Sequence, residues 1–358
     1  MALESEQEPL IEIRGLVKQF PRLEKRSLTS FLNLRRPMVT VLDDVTLTIY
    51  KGEALGLIGE SGCGKTTLGR LILRLIEPTD GEVYFDGQDL LALNHSKLRK
   101  LRKRMQMIFQ NPFSALNPNM KVRDILGEAV RVGCELSLST NGEMKEALDP
   151  SNMEARVTEL VRAVNLQRTK LDQYPLALSG GERRRVGIAR ILAVEPDFIV
   201  ADEPLASLDV SIRSQVLNLL LNLRQERNLT FLYISHDIGA VRQICDRIAV
   251  MYLGNIVELA EKKEIRADRC FHPYTKKLMK ACDYLSVDNA DMQLEEDNVE
   301  AEYLEEDDPG CNFRFRCDRF RALGAPEICS CEKPLLQVQV NPYSKNPMVA
   351  CHFAQEAD

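Results

Sequence analysis

The run Gly59-Glu60-Ser61-Gly62-Cys63-Gly64-Lys65-Thr66-Thr67 constrains this chain more than any other stretch of it. It follows an apolar run, Ala54 to Ile58, that reads as a buried strand. It precedes Leu68 to Ile76, which reads as a helix ended by Glu77-Pro78. A G-x-x-x-x-G-K-[ST] loop between a strand and a helix is a phosphate cradle. Its glycines let backbone N–H groups approach phosphate oxygens, and the helix N-terminus adds positive partial charge. Lys65 supplies a point charge to the β- and γ-phosphates, and the Thr66 hydroxyl can ligate Mg2+. Cys63 reads as a small residue of the loop.

A nucleotide site needs a second acid for its metal. Phe198-Ile199-Val200-Ala201-Asp202-Glu203 supplies one. The apolar residues read as a buried parallel strand, which puts Asp202 at its carboxyl end, where ligands of α/β sheets bind. Asp202 would help hold Mg2+, and Glu203, one residue on, can polarise an attacking water.

Charge and cysteines divide the 358 residues. The net charge is -6, which excludes a nucleic-acid binder of the basic kind. Asp288 to Asp308 holds eleven acids and no Lys or Arg, so the remainder sums to +5 (-6 minus -11). Such a run repels itself and buries little, so it reads as a solvated linker over 284–310. Lys97 to Arg104, with six bases in eight residues, reads as the wet face of a helix. There is no apolar stretch long enough for a membrane helix. The N-terminus, with Glu4, Glu6 and Glu8, lacks the basic-then-apolar order of a signal peptide. A cytoplasmic location is expected, any membrane role coming through partners. Of ten cysteines, Cys311, Cys317, Cys329, Cys331 and Cys351 crowd into the last 48 residues. In that compartment a late cluster reads first as a metal site.

Between the two nucleotide motifs lies Leu178-Ser179-Gly180-Gly181-Glu182-Arg183-Arg184-Arg185-Val186-Gly187-Ile188-Ala189-Arg190, which resembles the signature loop of ATP-binding cassette (ABC) ATPases. Other elements of that family occur in its order. Phe109-Gln110 matches the Q-loop, Ser207-Leu208-Asp209 the D-loop, and Ser235-His236-Asp237 the switch histidine. Phe20 is the candidate aromatic for stacking on adenine, a core position being the other reading. The resemblance covers roughly residues 8–283.

It implies an α/β fold with a RecA-like core, an antiparallel β subdomain and an α-helical subdomain. The core is assigned to 1–112 and 197–283, the helical subdomain to 113–196, and a Cys-rich extension to 311–358. It implies ATP and Mg2+ held by Gly59, Ser61, Gly62, Cys63, Gly64, Lys65, Thr66, Thr67, Gln110 and Asp202. Thr66, Gln110 and Asp202 are the implied Mg2+ ligands, and Glu203, His236 and Gln110 the catalytic set. Ser179, Gly180, Gly181 and Asp209 would complete the ATP site of a second ATPase subunit, in a head-to-tail dimer of homologous chains. The family's usual Gln after the two glycines is Glu182 here. Its carboxylate either approaches the triphosphate or turns away and caps the helix.

Finer wording narrows the class. Met107 to Pro118, Asp202 to Ile212 and His272-Pro273-Tyr274-Thr275 resemble oligopeptide/dipeptide importer ATPases. That implies peptide import with two transmembrane permease subunits and a solute-binding protein, the ATPase lying on the inner face of the cytoplasmic membrane. Nickel or another small solute, and a soluble non-transport ATPase, are the alternatives. Pro112 to Pro118 suits a docking segment for the permease. Pro21–Met38 and Gly133–Met153 read as insertions relative to the family.

The tail, Gly310-Cys311-Asn312-Phe313-Arg314-Phe315-Arg316-Cys317 through Val349-Ala350-Cys351-His352, resembles the family's C-terminal extension. In some members four cysteines there hold a [4Fe–4S] cluster. The implied ligands are Cys311, Cys317, Cys329 and Cys351, with Cys331 the rival of Cys329. Zn2+ on four thiolates, or free buried cysteines, are the other readings. A metal would staple a segment too small to build its own core.

Overall fold

The computed structural model describes residues 8–22, 38–111, 116–137, 149–266, 268–285, 308–339 and 347–354. Nearly all of the acidic run, residues 112–115 of the expected docking segment, and the middles of both expected insertions lie outside the described residues. Strands in chain order are β1 (Pro9–Pro21), β2 (Met38–Tyr50), β3 (Ala54–Ile58), β4 (Asp80–Phe85), β5 (Gln88–Asp89) and β6 (Met105–Ile108). They continue with β7 (Phe198–Asp202), β8 (Thr230–Ile234), β9 (Arg247–Tyr252), β10 (Asn255–Glu261), β11 (Gln337–Val338) and β12 (Met348–Val349). The chain forms two compact units. One is drawn from Met1–Ile11, Thr48–Ala54 and Tyr84–Ser235, the other from Glu12–Leu47, Leu55–Val83 and His236–Asp358.

In the first unit β6, β7 and β8 are parallel, with Met105 opposite Phe198 and Phe198 opposite Thr230. Every residue of β7 and β8 is buried. The apolar runs over 198–201 and 231–234 within them are what strands covered on both faces require. Three helices, Val122–Ser137, Pro150–Ala163 and Gly180–Leu192, pack on one another. The first buries Val122, Ile125, Leu126, Ala129, Val130 and Cys134, a stripe at helical spacing.

The expected insertion Gly133–Met153 is therefore helical at both ends. Gly133 continues the first helix, and a Cβ there would meet the Ala193 carbonyl at 2.7 Å. Pro150 opens the next helix at a position where its missing N–H costs nothing, and the Asp149 carboxylate accepts the Ser151 N–H at 2.9 Å. The basic run is a helix only over His95–Leu101, with Leu98 buried. Arg104 leaves that face and pairs with Asp86 at 2.9 Å and with Asp197.

In the second unit β3 pairs in parallel with β9, Leu55 opposite Arg247. β9 and β10 form an antiparallel hairpin. The phosphate-loop helix is Lys65–Ile72, shorter than expected, because Arg74 takes a left-handed φ of 47° and turns the chain. In β2 of this unit Leu42 is buried, and Val45 and Leu47 alternate inward beside exposed Asp44 and Thr46.

The Cys-rich tail is part of this unit. β12 pairs antiparallel with β10, Val349 opposite Glu258, and β11 pairs with β12. Phe313 is 2% exposed and lies 5.2 Å from the Tyr252 ring, edge on, and 5.6 Å from the rings of Tyr274 and His272. The tail thus borrows a core from the unit instead of depending on a metal alone.

Candidate functional site

The phosphate loop lies in the second unit, between β3 and the helix Lys65–Ile72. Gly59 has φ 152° and a Cβ there would sit 2.2 Å from the Met251 carbonyl oxygen. Gly64 has φ 109° and caps the helix. Only glycine takes these positions without displacing backbone. Gly62, at φ 81°, faces open space. Lys65 is buried, and its ammonium donates to the carbonyls of Gly59 (2.8 Å) and Glu60 (2.7 Å). Cys63 is buried, which pushes its thiol pKa up, and Lys65 opposes that rise. Thr66 and Thr67 are half-buried in the first helical turn, and Ser61 is exposed. A tight loop with one open glycine, buried ammonium and helix N-terminus fits a polyphosphate.

The His272-Pro273-Tyr274-Thr275 segment holds this loop, a role its sequence did not announce. Glu258, buried on β10, accepts the N–H groups of Phe271 and His272, each at 3.1 Å. Burial raises its carboxyl pKa. The corner so formed presents the Tyr274 hydroxyl, which accepts the Glu60 N–H at 2.9 Å. His236 is exposed in this unit, and Asp237 caps the next helix by accepting the Ala240 N–H at 3.0 Å. Phe20, near the end of β1, is 37% exposed with the Lys18 ammonium 4.7 Å above its ring.

The first unit brings together Gln110 and Glu203. The Gln110 amide donates to the Glu203 carboxylate at 2.7 Å. Glu203 has a left-handed φ of 43°, uncommon for a residue with a side chain and characteristic of functional sites. Asp202, at the end of β7, is buried at 2% exposure.

The signature residues cap a 13-residue helix, Gly180–Leu192. The Ser179 hydroxyl accepts the Glu182 N–H at 3.2 Å, and the Glu182 carboxylate accepts the Ser179 N–H at 2.9 Å. Glu182 thus closes a capping box, and Lys170 pairs with it at 3.1 Å. The Ser179 N–H and Lys170 hold its carboxyl pKa below the usual range. A Cβ on Gly181 would meet Ile212 at 2.6 Å, so this glycine lets the signature helix rest on Val210–Arg227. Ser179 and Asp209 are exposed, and Gly180 is half-buried.

Arg184 went unassigned in the sequence. It is 2% exposed, and its guanidinium donates to the carbonyls of Phe109 and Gln110, the latter at 2.8 Å. It ties the signature helix to the Q-loop. One arginine among three in a row carries no local mark of burial.

In the tail, Cys311, Cys317, Cys329 and Cys351 lie within electrostatic reach of one another, whereas Cys331 is exposed. Burial first, and then the neighbouring thiols, push Cys311 up to about 11. The Phe320 N–H donates to the Cys317 sulfur at 3.3 Å. Among the described residues, no three His, Cys, Asp or Glu side chains are arranged to hold a metal ion.

Comparison with known proteins gives the family. The ABC transporter family matches residues 42–206, and the oligopeptide/dipeptide transporter C-terminal region matches 257–322. A putative peptide import ATP-binding protein of Brucella abortus (strain 2308) is 42% identical over 311 residues, 86% of this chain and 89% of that one. The oligopeptide transport ATP-binding protein AppF of Bacillus subtilis (strain 168) is 38% identical over 97% of this chain and 98% of its own length. A solved ATP-binding cassette, a dimer in a post-hydrolysis state bound to ADP and Pi, is 27% identical with a TM-score of 0.59. That match covers 71% of this chain and 99% of the cassette.

Proposed function

Because this chain belongs to the ABC transporter ATPase family, we propose that it is the ATP-hydrolysing subunit that powers an importer of oligo- or dipeptides. The observation that carries the substrate class is the match of the oligopeptide/dipeptide transporter C-terminal region on the same chain as the cassette. In this reading 1–112 and 197–283 are the nucleotide-binding core, 113–196 the helical subdomain, 284–310 a linker and 311–358 the extension.

ATP is bound through Gly59, Ser61, Gly62, Cys63, Gly64, Lys65, Thr66 and Thr67, with Phe20 toward the adenine. Thr66, Asp202 and the amide oxygen of Gln110 would hold Mg2+, a hard cation suited to these oxygens, which would neutralise phosphate charge. Glu203 takes the proton of the attacking water, oriented by the Gln110 amide. His236 contacts the γ-phosphate.

Ser179, Gly180, Gly181 and Asp209 serve the ATP of a second, homologous and non-identical ATPase subunit. The exposure of Ser179 and Asp209 supports this. Closure on ATP and opening after hydrolysis would drive two permease subunits fed by a solute-binding protein. Among the described residues no helix is long and apolar enough to cross a membrane. The permeases would hold the chain on the inner face of the cytoplasmic membrane, and nucleic acid has no part. Vesicles carrying the permeases, both ATPases and the binding protein should take up labelled peptide only with ATP. Uptake of Ni2+ instead would assign the nickel alternative, and hydrolysis without any uptake the non-transport one.

The tail is read as a [4Fe–4S] site on Cys311, Cys317, Cys329 and Cys351. The four cysteines lie within electrostatic reach of one another, and burial first raises the thiol pKa of Cys311, Cys329 and Cys351, so they would ionise readily only around a positive centre. A single tetrahedral Zn2+ needs sulfurs about 3.8 Å apart. Zn2+ on the same four thiolates is the other reading, and metal content decides between them. Anaerobic preparations should contain about four irons per chain, lost in Cys329→Ala and kept in Cys331→Ala. One zinc and no iron would overturn this.

A further inference from the structure

The tail also reaches the phosphate loop. The two terminal nitrogens of Arg316 lie 3.0 Å from the two Glu60 carboxylate oxygens, a bidentate pair spanning 256 positions of sequence. Glu60 is the second residue of the loop. Its N–H and carbonyl are already held by Tyr274 and Lys65, so Arg316 secures its third handle. Arg316 is braced in turn. Its guanidinium lies 5.9 Å from the Tyr252 ring centroid, and its carbonyl accepts the Lys277 ammonium at 2.9 Å. Buried Phe313 anchors the turn that carries it. The pair is partly shielded, with side-chain exposures of 32% and 44%.

We propose that Arg316 is a positioning residue for nucleotide binding, supplied to the phosphate loop by the C-terminal tail through Glu60. A triphosphate brings several negative charges to a loop that itself carries a carboxylate. The Arg316 fork neutralises that carboxylate and fixes its direction, as bidentate guanidinium–carboxylate pairs do. Without Arg316, Glu60 repels the incoming nucleotide and the loop loses one of its three restraints. This rests on the reading of the Lys65 loop as the ATP site.

The test is fluorescent-ATP binding to the full-length chain, with the far-ultraviolet spectrum as the check on folding. The native chain should bind; if it does not, the ATP-site reading itself fails. Arg316→Ala should weaken binding roughly 3- to 5-fold at low salt. The loss should shrink as salt is added, because screening removes the exposed Glu60 repulsion. Arg316→Lys, which keeps the charge, should recover most of it. In a Glu60→Gln background Arg316→Ala should add less than roughly 1.5-fold, since its target is gone. An Arg316→Ala effect of equal size with and without Glu60, or no effect in the native background, would overturn the proposal.

Discussion

A Glu203→Gln chain is expected to bind ATP and to hydrolyse it roughly 10²- to 10⁴-fold more slowly, the usual contribution of a positioned general base. The substitution is nearly isosteric. The amide oxygen of the new side chain can still accept the hydrogen bond that Gln110 makes to Glu203 at 2.7 Å. What disappears is the carboxylate, the group proposed to take a proton from water. In the proposed reading binding depends on the phosphate loop around Lys65, on a different segment of the chain, so affinity and turnover should separate. Phosphate release and equilibrium nucleotide binding, measured together, check this. Turnover within threefold of native would remove Glu203 from the role. Gln110→Ala should slow turnover less, because it loosens the base without deleting it.

Arg184→Leu should lower stability by about 2–4 kcal/mol. Two charge-assisted hydrogen bonds are lost, to the carbonyls of Phe109 and Gln110, each worth about 1.5–3 kcal/mol. Part is returned because a buried guanidinium carries a desolvation cost, the same cost that lowers its pKa. For a unit of this size the melting transition should fall by roughly 5–15 °C. The catalytic effect has a direction too. The Q-loop carbonyls lose their anchor on the signature helix, so Gln110 no longer holds Glu203 in one place. Turnover should fall below what the stability loss explains when assayed well under the melting temperature. An unchanged melting transition would show that Arg184 bears no such load. Arg184→Lys should retain part of the stability, since an ammonium can reach one carbonyl but lacks the planar fork that serves both.

Much of the local structure around the proposed nucleotide site was legible because its signals are local. The bounds of β3 follow from the five-residue run Ala54 to Ile58. Gly59 and Gly64 announce backbone that other residues cannot take. Asp202 is placed by the strand it ends. Glu182 had two readings, and the capping box chose one because Ser179 stands three residues before it. Where reading faltered, competing local signals were at work. Gly133 to Met153 reads as an insertion, yet Pro150 begins a helix and Gly133 continues one under the Ala193 carbonyl. Leu73 to Ile76 had helical composition, but Arg74 turned left-handed.

From residue order come the class of fold and the proposed chemistry of the site: a phosphate loop, a proposed metal acid, a proposed base and a signature helix, each a pattern within a dozen residues. Residue order could not reveal which distant groups hold those parts in place. The Arg184 anchor spans about 75 positions, the Tyr274 contact 214 and the Arg316–Glu60 pair 256. The tail, read as a segment that a metal must staple, becomes strand β12 beside β10 and a buried Phe313. The physical reason is that dihedral preference and hydrophobic period act over a few residues and leave their mark in the sequence. A hydrogen bond between segments hundreds of residues apart depends on the packed core that brings them together, so it leaves none.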